Sequence, residues 1–431
     1  MSKFQAIVIG ICIVAALAGL MVFATFKGGG TEAVPTTIIW GTIDRSFMAE
    51  FLDTALKPQN ETIKYRYVQK NPATLYEEYV EALAVGDGPD AVLMSHDQVL
   101  KFKGKIIDIP YTYFPEKEYK STFVEQGELY LSNAGISALP FTIDPMVMFW
   151  NRDIFTNALV PTPPQTWEEL SNLIPRLTKR DAATNITQSA VGFGEYRNIA
   201  HAKDIMSLLI LQAGNAITTP TASGVKSVLS DNQRNSVAVQ ALNFYTAFAN
   251  PTKLSYTWNK SLPNSKTLFL GNKLGIYFGY ASELADITEK NPNLNFDIAI
   301  VPQQKTAAGA TAHNMTYGKL YGFSLARSSP YPEHTVSVLK FLTSKSTLAL
   351  WAKQTGQPSV RRDSLTLDPS SAVSYVFSIS SLWSRGWLDP DYIQTTNFFG
   401  QMIEDVTSGK LLPEAAVRAA HNRIQDLTIQ Q

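Results

Sequence analysis

Two carboxylates raise the first question about chemistry in this chain. Asp97 follows the run Asp90-Ala-Val-Leu-Met94, and Glu195 follows Val191-Gly-Phe-Gly194. Such a pair can act as acid and base across a glycosidic bond, or it can accept hydrogen bonds from the hydroxyls of a polar solute. Tyr196, next to Glu195, adds an apolar ring face against which a sugar can lie. Other reactive arrangements are missing: there is no Gly-x-Ser-x-Gly elbow, phosphate loop or His-Glu-x-x-His zinc helix. The single cysteine, Cys12, excludes an internal disulfide and a Cys-based metal site, and the five histidines are scattered. Tyr277 and Tyr280 invite a paired-tyrosine ferric site, but on a strand their spacing turns them to opposite faces. No cofactor is expected.

A third carboxylate is odd for a different reason. In LPFTIDPMVMFWNRDIF, Leu139 to Phe155, an Asp-Pro pair interrupts a run of strand-forming apolar residues. Pro145 removes a backbone donor, and Asp144 puts a charge where a core strand has none. Either Asp144 caps a local turn before the proline, or the strand leaves one core for another and Asp144 faces the space between.

The elements that must position these residues follow an α/β pattern. Short β-type runs at Thr37–Gly41, Ile63–Val68 and Asp90–Met94 alternate with helical patterns after Gly41 and from Pro72, which predicts a parallel sheet. Thr166 and Glu169 form a capping box ahead of Leu170, Leu173, Ile174 and Leu177. Further helices are expected at 201–212, 235–249, 332–343 and 413–429, with strands at 273–279 and 296–301. At 431 residues the chain is long enough for two domains with full cores. Lys plus Arg equals Asp plus Glu, 37 each, so no charge excess argues for nucleic acid.

Phe4 to Phe26 carries no charge and as a helix would span about 34 Å, enough for a bilayer. It reads as an uncleaved single-pass anchor with Lys3 on the cytoplasmic side, followed by a tether beginning at Gly28-Gly29-Gly30. The folded part is then expected on the extracytoplasmic face.

The order of motifs resembles the family-1 extracellular solute-binding proteins of ABC importers, the group that includes maltodextrin- and other oligosaccharide-binding proteins. GDGPDAVLMSHDQV is similar to their GDGPD strand and following loop, and LPFTIDPMVMFWNRDIF to their first crossing between lobes. PPQTWEELSNLIPRL, FLGNKLGIYFGYA, YGFSLARSSPYPEHTVSVLKFLTS, TGQPSVRRD and SGKLLPEAAVRAAHNRI follow in the same order. The resemblance implies an α/β, two-lobed periplasmic-binding-protein fold of type II with a hinge, preceded by a transmembrane helix. The implied domains are an anchor at 1–27 and a tether at 28–36. The N-terminal lobe takes 37–143 with about 281–330, and the C-terminal lobe takes 144–280 with about 331–431.

It further implies a monomer that closes on a small-molecule ligand, an oligosaccharide, and passes it to ABC permease subunits. It is then not an enzyme; a ligand-sensing receptor domain or an anchored glycan hydrolase are the alternatives. Ligand contacts carried over from the resemblance are Asp44 and Arg45 after the first strand, Asp97 after the GDGPD strand, and Asp144 at the crossing. Glu195 and Tyr196 follow the Gly-Phe-Gly strand, Tyr280 stands for the usual stacking indole, and Phe398 for an aromatic of the C-terminal lobe. For Asp44-Arg45 the alternative is a helix cap and a solvated arginine; His96 reads as structural. The usual Gly-x-Trp is replaced by Gly279-Tyr280-Ala281, and Met94, Ser95 and Gln98 replace flanking Trp and Arg, which argues against maltodextrin specifically. Among the tryptophans Trp40, Trp258, Trp383 and Trp387, the last two lie in a segment that reaches the cleft in relatives.

Overall fold

One strand, Leu139–Asn151, takes part in both halves of the sheet system. The computed structural model describes residues 34–56, 63–221, 224–230, 236–304 and 314–429. Up to Pro145 this strand pairs antiparallel with Thr316–Ala326, in the register Phe323 to Leu139 and Gly318 to Pro145. From Met146 onward it pairs antiparallel with Leu274–Tyr280, Tyr280 opposite Met146 and Ile276 opposite Trp150. Phe296–Ala299 lies antiparallel on the other side of the same half. Pro145 sits where the partner changes, so its missing N–H costs the ladder little, and its carbonyl still accepts from Ala281 N at 3.0 Å.

The first half continues from Thr316–Ala326 to Ala91–Ser95, Thr36–Gly41 and Lys64–Gln69, the last three mutually parallel. Ala91–Ser95 is buried at every position, as expected of an interior parallel strand covered on both faces. In the second half Leu274–Tyr280 pairs parallel with Ile186–Val191. The Thr166 cap is formed: Glu169 N donates to Thr166 Oγ1 at 3.2 Å, while the Glu169 carboxylate reaches Gln165 N at 2.7 Å.

Two separate apolar cores result. The first gathers residues from Ile39 to Ile143 and from Leu320 to Val360; the second gathers Met146 to Val301, Tyr317, and Val376 to Ile424. This corrects the expected division of the chain. Ala281, Ile287, Leu294 and Ile298 pack in the second core, and Val336, Leu339, Leu342 and Trp351 in the first. The reason is register: Phe296–Ala299 bonds to the second half of Leu139–Asn151, and the helix after Ala326 folds back onto the sheet half that Thr316–Ala326 completes. Three segments lie at the boundary between the cores: the strand around Asp144-Pro145, the strand around Tyr317–Lys319, and Ser384-Arg385, which pairs parallel with Thr316-Tyr317.

Trp258 is fully buried and Trp387 nearly so, which makes both core residues rather than exposed stacking platforms. Trp40 is half-buried with the Lys70 ammonium 3.7 Å from its ring centroid. The expected anchor Phe4–Phe26 and the glycine tether lie outside the described residues, and no described helix is long and apolar enough to cross a membrane.

Phe141 is the centre of the first core, with ring centroids of Phe323 and Trp351 both at 4.8 Å and Phe51 at 5.6 Å. Phe141→Ala is expected to destabilise the first lobe by about 3–5 kcal/mol through lost burial and a residual cavity, read as a lower midpoint in urea unfolding.

Candidate functional site

The crossing strands bring a compact polar cluster to the seam between the cores. Lys319, on the return strand, lies directly across from Asp144 in the ladder. Its ammonium is 3.6 Å from Asp204 Oδ2 and 4.6 Å from the centroid of the Tyr280 ring. Tyr280 donates its hydroxyl to the same Asp204 oxygen at 2.6 Å. Beside it, Lys203 donates to Asp389 Oδ2 at 2.6 Å, Thr395 Oγ1 at 2.9 Å and the Tyr392 carbonyl at 3.3 Å. Lys203 and Asp389 are 4% and 1% exposed, a depth at which neither charge is tolerable without the other.

Local sequence explains the placement. Ala202–Gln212 is apolar nearly all round, so its charges at Lys203 and Asp204 enter the interior with it. The helix Tyr392–Thr407 begins at Asp391, whose carboxylate accepts from Ile393 N at 3.0 Å and Gln394 N at 3.1 Å. That cap aims Tyr392 at the seam. Its phenol is held well up the scale by burial first and then by the charges of Asp204, Asp97 and Asp389, against the pull of Lys319.

The expected contact residues fall into three groups. Asp97, Asp144 and Tyr280 belong to the seam. Asp97 is buried at the end of Ala91–Ser95 and accepts from the Ser95 hydroxyl. It faces the second lobe: burial first, with Asp97 adding like-charge repulsion, raises the Asp389 carboxyl to about 6 despite Lys203. Asp144 is half-buried and takes Ser282 N at 2.9 Å and Ser282 Oγ at 2.5 Å. Burial raises it to about 6 against the Ser282 bonds and Lys319. It therefore fastens the crossing strand to the turn after Leu274–Tyr280; the turn it caps is distant in sequence, not the local one before Pro145.

Glu195 and Tyr196 lie together on the C-terminal lobe, and Phe398 lies on the same lobe against a different neighbour. Glu195 is buried, 3.4 Å from Thr407 Oγ1 and 3.8 Å from Lys260 Nζ, and burial raises its carboxyl. Tyr196 donates to the Thr396 carbonyl at 3.1 Å and lies against Gly400, where a Cβ would come within 2.5 Å of the ring. Phe398 is half-buried under the Arg423 guanidinium at 5.7 Å. Asp44 and Arg45 lie apart and exposed. Asp44 accepts from Ser46 N at 2.8 Å at the start of the helix Arg45–Leu56, and Arg45 N donates to Gln69 Oε1 at 2.9 Å. That geometry is the helix-cap alternative.

His96 is buried beneath the seam. Its Nδ1 lies 3.3 Å from the Leu320 N–H, while Nε2 has no partner among the described residues. Burial lowers its pKa, so the ring is neutral. Gln126 donates to the Gly318 carbonyl at 2.6 Å, and a Cβ on Gly386 would fall 2.5 Å from His96 Nε2 and 2.6 Å from Gln126 Nε2. Glycine is thus required where two of the crossing segments press against these side chains.

Lys203, Asp204, Lys319, Asp389 and Tyr392 were not foreseen. A signal existed for three of them: Lys203 and Asp204 head an apolar helix, and Lys319 is the lone charge in TYGKLYGFSLA, the same anomaly as Asp144.

Comparison with known proteins agrees with this architecture. The family model described as bacterial extracellular solute-binding protein matches residues 50–374. A binding protein of Brucella abortus (strain 2308) is 22% identical over 374 residues, covering 82% of each chain. Among solved structures, a cyclo/maltodextrin-binding protein complexed with maltotetraose superposes with a TM-score of 0.72 at 19% identity, covering 91% of this chain and 96% of the other. An ABC transporter solute-binding protein from Thermotoga lettingae bound with alpha-D-tagatose gives 0.68 at 20%, covering 91% and 99%.

Next to the seam, Glu283 is held by His201 Nε2 at 2.8 Å, Lys266 Nζ at 2.6 Å and the Tyr277 hydroxyl at 2.8 Å. Burial pushes its carboxyl up, but His201 and Lys266 outweigh it and bring it down to about 2. A depressed acid stabilises the fold above its unfolded value near 4.5 and loses that contribution as pH falls toward 2. Glu283→Gln should therefore be less stable at pH 6 and should lose about 2 kcal/mol less than wild type between pH 4.5 and 2.5. Urea unfolding across that range, as a difference between the two proteins, measures it.

Proposed function

Because the chain belongs to the bacterial extracellular solute-binding protein family, we propose that it captures a small polar solute, of the carbohydrate class, between its two lobes and hands it intact to an ABC permease. The observation that carries this reading is the seam itself. Two separate cores are bridged by extended segments, and a polar, tyrosine-rich cluster lies at their junction beyond the carboxyl ends of the parallel strands. Such a body can close like a hinge on whatever fills the seam. Carboxylates and phenols at that place suit hydroxyl-rich solutes, and the structural relatives with maltotetraose and tagatose support the same class.

Asp97 is the proposed central contact, with Asp144 and Tyr280 shaping the floor. Glu195, Tyr196 and Phe398 supply the second-lobe wall, and Asp44 and Arg45 an outer rim. Phe4–Phe26 is proposed to anchor a monomer in the membrane, with the lobes on the extracytoplasmic side. The reading assigns the protein binding without chemistry: its task is a difference in affinity between open and closed forms.

Thermal-shift measurement of the full chain in mild detergent, against sugars, peptides and amino acids, tests the class. One class alone should raise the midpoint by mass action, and recovery of the solute chemically changed would defeat the reading. Asp97→Ala should weaken binding of that solute by about 1–3 kcal/mol through lost hydrogen bonds, seen by calorimetric titration.

A further inference from the structure

Charge at the seam does not balance. Four carboxylates, Asp97, Asp144, Asp204 and Asp389, gather round two ammonium groups, Lys203 and Lys319. Lys203 is saturated by Asp389, Thr395 and the Tyr392 carbonyl. Lys319 reaches only one oxygen of Asp204, which it shares with Tyr280. Asp204 is 2% exposed, and its other oxygen has no partner among the described residues. Nor, among the described residues, does any ammonium group lie within ion-pair distance of Asp97 or Asp144.

Neighbouring cations are already taken. Lys266 is held by Glu283 and Asp286 at 2.6 and 2.8 Å, His201 faces Glu283, and Lys101 at the rim lies between Glu77 at 3.7 Å and Asp391 at 3.6 Å. The phenols of Tyr280, Tyr317, Tyr321 and Tyr392 stay neutral, their titration pushed up by burial first. Two of the rings already face cations: Lys203 stands 4.0 Å from the Tyr392 centroid and Lys319 4.6 Å from that of Tyr280.

Asp97 belongs to the first core, and Asp204 and Asp389 to the second. Closing the lobes therefore brings like charges together in a poorly solvated space, which opposes closure. A solute that brings positive charge removes that opposition and so binds the closed form better than the open one.

We propose that the seam selects a solute bearing a charged ammonium group, an amino sugar over its neutral counterpart. This rests on the solute-capture reading above and specifies its ligand.

Titration calorimetry and thermal shift on the full chain, near neutral pH, decide it with four probes: a glucosamine disaccharide, its N-acetylated counterpart, maltotriose and putrescine. The aminated disaccharide should bind about tenfold or more tighter than the acetylated one, with the advantage shrinking as salt rises. Asp97→Asn should reduce that advantage and Lys319→Gln, which deepens the negative charge, should enlarge it. Equal binding of the aminated and acetylated sugars, or an advantage untouched in folded Asp97→Asn protein, overturns the inference and leaves carbohydrate capture standing. Binding of putrescine without any sugar upholds the ammonium preference and removes the carbohydrate class. Binding of none of the four overturns both.

Discussion

The structure depends on one strand that must serve two cores. Leu139–Asn151 leaves its first partner at Pro145 and takes its second at Met146, and everything at the seam is a consequence of that exchange. At such a point the ladder is interrupted, so backbone groups and side chains must find other partners. Asp144 supplies them by accepting from the backbone and hydroxyl of Ser282, tying the end of one half-sheet to the other. Lys319, opposite on the return strand, neutralises part of the cluster that gathers there. The junction is polar because a continuous apolar core across it would fuse the lobes.

This division of labour separates stability from response. Each lobe holds a dense aromatic core, Phe141 with Phe323 and Trp351 in one, Phe193 with Phe278 and Tyr245 in the other. Packing of that kind makes the lobes rigid bodies. Between them stand extended segments and charged groups, whose interactions change strongly with separation and hydration. Motion and ligand energy are therefore concentrated at the seam, where Gly318 and Gly386 leave just enough room for Gln126 and His96.

Local pattern was informative wherever neighbours in sequence decide the outcome. The Thr166 cap formed as read, the helix Pro413–Ile429 has the expected bounds, and the parallel run at the start of the folded part is present. The Asp-Pro anomaly pointed to the crossing. Of its two readings the local cap is not the one formed, since Asp144 accepts from Ser282, 138 residues away. Asp44 went the other way: a residue carried over as a ligand contact also caps the helix that follows it. The lobe assignment departs from the packing at 281–301 and 336–360, where the pairing of Phe296–Ala299 and the packing after Ala326 set the lobe.

By itself the sequence determined the α/β class, a length sufficient for two cores and the absence of a disulfide. These follow from periodicity, caps and composition, which act over a few residues. Only the tertiary structure decided that Lys203, Asp204, Lys319, Asp389 and Tyr392 share one site. They come from two helices, a return strand and a late loop, and no local rule couples positions so far apart. What joins them is the cost of burying a charge alone, and that cost exists only once the strands have crossed.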